Sequence, residues 1–232
     1  MRNLLFISFL ILLISCEEEK ITPKSQSIYP LKIGNEWTYQ YSAYNNDELL
    51  GEAVAKLRID TIMYLSVEGE EKQVYRQIGI ILDEKEVGYV NIVDSSFYYF
   101  GRDFVSIEDE KIRYAGGDSI ETFNQLFAKY PIEKGEQWDT YTINYNYRSE
   151  RNDTIFLEPI KDYYTVKCLG TDISITIKNK NYSCIGYKYY TYNLDTNYYD
   201  ERYYSLGIGL VEERFYSGDY FSKMSLTNYS LK

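Results

Sequence analysis

From Trp37 onward the chain alternates apolar and polar residues with a period of two, and turn-forming residues break the alternation roughly every 8–12 residues. Trp37, Tyr39 and Tyr41 share one face opposite Thr38, Gln40 and Ser42. Ala53, Ala55, Leu57 and Ile59 alternate with Val54, Lys56, Arg58 and Asp60, and Val74, Arg76, Ile78, Ile80 and Leu82 follow on one side of a third segment. A period of two is the signature of half-buried strands, whose successive side chains point to opposite faces. Strand segments are also expected at 89–100, 138–147, 154–158, 163–169, 172–178, 182–193, 201–205 and 220–231, with Gly170-Thr171 and Asn179-Lys180-Asn181 as turns. The expected fold is all-β: an antiparallel curled sheet, half-open barrel or sandwich of about ten or more strands.

One stretch breaks the pattern. Asp118 and Glu121 have the spacing of a capping box, and Ile120, Phe123, Leu126, Phe127 and Tyr130 form an apolar stripe that stops at Pro131. A single short helix is expected near 119–129.

Two corners introduce strand runs. Tyr29-Pro30-Leu31-Lys32-Ile33-Gly34-Asn35-Glu36-Trp37 returns in degraded form as Tyr130-Pro131-Ile132-Glu133-Lys134-Gly135-Glu136-Gln137-Trp138, and the two copies hold both tryptophans. Proline fixes φ and removes a donor, while glycine takes positive φ to close the turn. Trp37 is expected to be a core plug, and Trp138, flanked by Gln137 and Asp139, a more polar version with a candidate binding role. The repeat divides the β-domain, 29–232, into two pseudo-equivalent halves, 29–129 and 130–232.

The N-terminus reads as an address. Residues 1–15 carry Arg2 and then the apolar run Leu4 to Ile14, too short to span a bilayer as a helix and fitting a cleaved signal peptide. Leu13-Ile14-Ser15-Cys16 resembles the lipobox of bacterial lipoproteins. That resemblance implies lipidation of Cys16, with thioether-linked acyl chains such as palmitate, and anchoring to the membrane without spanning it. Glu17-Glu18-Glu19 resembles an acidic signal for transfer to the outer face of the outer membrane, and 16–28 reads as an acidic flexible tether. Tyr29-Pro-Leu-x-x-Gly-Asn-x-Trp-x-Tyr, together with Gly207-Ile208-Gly209-Leu210-Val211-Glu212-Glu213, is similar to a broad group of bacterial outer-membrane lipoproteins whose function is unsettled. The resemblance implies a partly open β-barrel or curled sheet and carries no catalytic residue.

Charge and residue types exclude several functions. Once the signal peptide is removed, 24 basic residues face 35 acidic ones, a net charge of −11 that argues against nucleic acid as partner. The chain has no histidine, which removes Ser-His-Asp and Cys-His catalysis and histidine-bound zinc. Asp195-x-Asn197 and Asp109-Glu110 offer oxygens but no EF-hand pattern, and no phosphate-binding glycine loop occurs, so no metal or cofactor is expected. Cys168 and Cys184 are expected as free, half-buried thiols on strands separated by a third.

Tyrosine is the remaining signal, with 28 residues and doublets at 98–99, 163–164, 189–190, 198–199 and 203–204. Exposed tyrosines offer rigid contact area and a hydroxyl. The segment Tyr187–Tyr204 is the candidate binding face, with Tyr187, Tyr189, Tyr190, Tyr198, Tyr199 and Tyr203, joined by Trp138, as candidate ligand-binding residues. The expected function is non-enzymatic binding of a glycan or protein by a lipid-anchored outer-membrane or cell-surface protein. Two alternatives stand beside it: a periplasmic lipid or lipoprotein carrier built as a half-open barrel with an apolar hollow, and a hydrolase using two carboxylates about 5–9.5 Å apart.

Overall fold

The computed structural model describes residues 27–81, 84–103, 105–108, 111–114, 120–150, 154–191 and 198–232. The signal peptide, Cys16, most of the tether and the oxygen-rich Asp109-Glu110 and Asp195-x-Asn197 segments lie outside them.

Twelve antiparallel strands form one curled sheet that nearly closes into a barrel, in the order β8-β5-β4-β3-β2-β1-β14-β13-β12-β11-β10-β9. The first six in chain order around the sheet are β1 (Glu36–Asn45), β2 (Glu48–Val67), β3 (Glu70–Ile81), β4 (Glu84–Val93), β5 (Ser96–Asp103) and β8 (Ile120–Ala128). The others are β9 (Gln137–Glu150), β10 (Thr154–Ile177), β11 (Lys180–Thr191), β12 (Tyr198–Ser205), β13 (Gly209–Ser217) and β14 (Tyr220–Ser230). A small hairpin, β6 (Val105–Glu108) with β7 (Lys111–Tyr114), forms a separate sheet. Tight hairpins keep neighbours in sequence adjacent in space: Asn46-Asp47, Asp94-Ser95 and Lys178-Asn179 all have positive φ at both residues, as primed turns require.

The two corners use one hydrogen-bond scheme. Gly34 (φ 85°) donates its N–H to the Ile59 carbonyl and Ile59 donates back to Asn35, both at 2.9 Å. Gly135 (φ 90°) and Glu136 exchange the same pair with Cys168, also at 2.9 Å. Tyr130–Pro131 is cis.

The first corner meets the glycine-rich turn from the other end of the chain. Trp37, 1% exposed, donates its indole N–H to the Ile208 carbonyl at 2.6 Å, and the Tyr39 hydroxyl donates to Leu210 at 3.1 Å. Gly209 lies against the Tyr29 ring, where an added Cβ would come within 3.0 Å of it. Tyr29 stacks on Phe97 at 4.7 Å and tilts against Trp37 at 4.9 Å. With Tyr187 and Tyr204, these rings fill the middle of the barrel.

Two expectations fail. The segment expected as a helix is strand β8, hydrogen-bonded to β5 from Phe97↔Ala128 to Asp103↔Ile120. Its buried Phe123 and Gln125 follow a two-residue period, and bulges at Phe97/Tyr98 and Tyr99/Gly101 let the more irregular apolar spacing fit a strand. A strand edge waiting for a partner outweighs a weak local helix signal. Gly170-Thr171 is also not a turn: β10 runs unbroken through it, with bulges on either side of Gly170.

As a result Cys168 and Cys184 sit on adjacent strands, not on strands separated by a third. Cys168 is opposite Tyr187 and Cys184 opposite Ile173. Three residues separate Cys184 from Tyr187 along β11, so the two thiols face opposite sides of the sheet. Both are free and buried, and burial pushes Cys184 up to about 12.

Candidate binding cavity

The sheet has two free edges, β8 and β9, and side chains close the gap between them. Unpaired edge carbonyls need partners. On β8 and the residue after it they receive side-chain donors: the Tyr189 hydroxyl donates to Phe127 at 2.5 Å, the Trp138 indole to Leu126 at 3.4 Å, and the Tyr187 hydroxyl to Lys129, just past the strand, at 2.6 Å. In the other direction, the Asn124 N–H donates to the Tyr141 hydroxyl at 3.4 Å.

Beside this seam lies a cavity of about 290 Å³. Gln125 and Phe127 of β8 and Thr140 of β9 form its seam side, and Tyr164, Tyr189, Tyr190, Tyr198, Tyr199 and Phe215 give it a largely aromatic wall. Asp200 and Arg202 of β12 and Glu213 of β13 supply its charge.

These three side chains come together through register. Arg202 pairs with Glu213 across β12 and β13, and Asp200, two residues from Arg202, faces the same side. Arg202 Nη2 lies 2.5 Å from Asp200 Oδ2, and Nε donates to Glu213 Oε1 at 3.0 Å. The guanidinium packs against Phe127 and Tyr189, at 4.3 and 4.6 Å from the ring centroids. Burial works against the Arg202 charge, but Asp200 and Glu213 outweigh it and hold the group above its ordinary range. Burial raises Asp200 to about 7, with Arg202 opposing the rise and Glu213 adding to it.

Five buried side-chain polar atoms among the described residues have no protein hydrogen-bond partner, and three of them belong to cavity residues: Thr140 Oγ1, Asp200 Oδ1 and Arg202 Nη1. Leaving such an atom unsatisfied costs about 1–3 kcal/mol. All three atoms are themselves buried beside the cavity.

No protein-family model matches the chain, and no curated protein matches it. Among solved structures it is similar to a Bacteroides fragilis protein described as exported and as having a YmcC-like fold, at 13% identity over 88% of this chain and 98% of that one, TM-score 0.48. It is also similar to a Parabacteroides distasonis protein described as a lipoprotein, at 11% identity over 89% of this chain and 99% of that one, TM-score 0.45. A β-barrel-like protein of a domain of unknown function from Brucella abortus matches at 6% identity over 87% and 99%, TM-score 0.38.

The tyrosine-rich segment divides when folded. Tyr189, Tyr190, Tyr198 and Tyr199 line the cavity. Tyr187 does not: its side chain is buried in the barrel and its hydroxyl is spent on Lys129. Tyr203 is buried on the opposite face beneath Arg214 and donates to Glu201 at 2.8 Å. Trp138 is half-buried at the seam, edge-on to Tyr187 at 5.6 Å, and does not line the cavity. Of the seven candidate residues, four therefore line one cavity, Tyr189 buried and Tyr190, Tyr198 and Tyr199 half-buried, while Tyr187, Tyr203 and Trp138 lie apart from it.

Asp200, Arg202 and Glu213 escaped sequence reasoning because charged residues in a half-exposed strand read as solvated. One signal was present: Glu213 closes the Gly-x-Gly-Leu-Val-x-Glu motif, whose first half packs on the Trp37 corner.

Proposed function

We propose that the protein is an exported, lipid-anchored binding protein, held to the outer membrane through Cys16 and displayed on the cell surface, that takes a glycan in the Arg202 cavity without acting on it. The observation that carries the reading is the coincidence of an aromatic wall with the polar side chains Gln125, Thr140, Asp200 and Glu213 in one cavity. Sugar rings present C–H faces that pack on aromatic rings and hydroxyls that pair with buried polar groups. A volume near the lower end of ligand pockets, about 300–1,000 Å³, matches a mono- or disaccharide unit.

The alternatives fare worse. A lipid carrier needs an apolar hollow, whereas Trp37, Tyr39, Tyr187 and Tyr204 occupy the middle of the barrel and the cavity beside them holds an ion triad. A two-carboxylate hydrolase needs open space between its acids for a water or a glycosidic oxygen. Asp200 and Glu213 do converge, but on Arg202, so a guanidinium stands where substrate would have to sit.

The test is a panel of mono- and oligosaccharides titrated against the soluble mature protein by calorimetry. Binding that weakens about tenfold or more in Tyr190→Ala and Tyr199→Ala, with thermal unfolding unchanged, is the expected result. A panel without a single binder overturns the glycan reading.

A further inference from the structure

The charge balance of the cavity narrows the ligand class, granted that this cavity is the binding site. Arg202 is its only cation among the described lining residues, and the protein has already engaged it. Asp200 takes Nη2, Glu213 takes Nε, and Phe127 and Tyr189 lie against the guanidinium. Nη1 is buried. An anion entering the cavity would find no free guanidinium fork to receive it. Two carboxylates against one guanidinium leave one formal negative charge in excess, in a wall that is otherwise aromatic and neutral.

Aromatic faces attract cations through their quadrupole and repel anions, and the effect grows as water is excluded. The preference is visible within the protein itself: Lys188, which is not among the residues lining the cavity, holds its Nζ 3.4 Å from the centroid of Tyr199. The whole chain, at a net charge of −10, adds a field of the same sign.

We infer that the cavity selects an ammonium-bearing ligand, an amine-bearing sugar in preference to its neutral or acidic counterpart. The ammonium lies against the tyrosine rings near the Asp200 and Glu213 carboxylates. Its hydroxyls reach Gln125 and Thr140 on the seam side. Asp200 supports the assignment, because a carboxyl that ionises only near neutrality is one that an incoming cation would help to ionise.

Four probes measured by calorimetry at pH 7.5 decide the matter: glucosamine, glucose, glucuronic acid and, as an amine without a sugar, spermidine. The expected order is glucosamine about tenfold tighter than glucose, with glucuronic acid weakest. Asp200→Asn, which removes the excess negative charge, should bring glucosamine and glucose close together. The wild-type ratios decide the question even where that variant folds poorly. Glucose or glucuronic acid binding as tightly as glucosamine overturns the charge selection and leaves the glycan reading standing. Spermidine binding without any sugar keeps the charge selection and overturns the glycan reading. Silence from all four overturns both.

Discussion

Asp200 shows what one buried carboxyl does to the behaviour of a whole domain. Its native ionisation lies near 7, against about 3.9 for an unfolded aspartate. The folded state therefore holds this proton more tightly than the unfolded chain, and its contribution to stability falls as pH rises from about 4 to about 7. That is the reverse of the usual salt-bridged aspartate. Asp200→Asn should lose this slope: urea unfolding at pH 5 and pH 7.5 should show the wild type losing at least about 1 kcal/mol more than the variant over that interval. Equal losses would mean that Arg202 fully compensates the carboxylate. At this scale sequence reading found the rings but not the charges. Tyrosine doublets mark positions where aromatic area must go, whereas the direction in which Asp200 and Arg202 face depends on strand register and on the bulge at Tyr203/Tyr204.

Strands β8 and β10 account for most of what was misread among the elements. Three segments read as separate strands are one 24-residue strand: residues 159–162 pair in unbroken register with β9, and bulges at Gly170 absorb the residues that looked like a turn. The apolar spacing of β8 fits a helix nearly as well as a strand, and only the available edge of β5 settles it. What sequence could not reveal is how β8 satisfies its free edge, since the donors come from tyrosines about sixty residues away. Tyr189→Phe keeps the ring and removes the donor to the Phe127 carbonyl. It should cost about 1–2 kcal/mol in chemical denaturation and speed amide exchange along β8. An unchanged midpoint and exchange pattern would show that the seam does not depend on that hydroxyl.

For the whole molecule, the period-two pattern was enough to give the all-β class, since no other regular structure buries every second residue. Closure was harder to see. It depends on pairing β1 with β14, whose partners lie at opposite ends of the sequence, from Glu36↔Ser230 to Asn45↔Tyr220. Membrane attachment belongs at this scale too. Replacing Cys16 with alanine removes the only proposed acylation site, and each buried methylene of an acyl chain contributes about 0.8 kcal/mol to membrane binding. Cys16→Ala should therefore move the protein from the membrane to the soluble fraction, read by fractionation and immunoblot. A protein that stays with the membrane would defeat the lipid anchor.

The two edges that fail to pair are also neighbours along the chain: β8 ends at Ala128 and β9 begins at Gln137, with eight residues between them. The second corner is thus a short covalent clasp across the opening of the barrel. A clasp of this length keeps the two edges at high effective concentration, so side-chain bonds that would be too weak between separate pieces can hold the seam shut. Because no main-chain ladder joins these two edges, parting them would leave every main-chain ladder of the sheet intact.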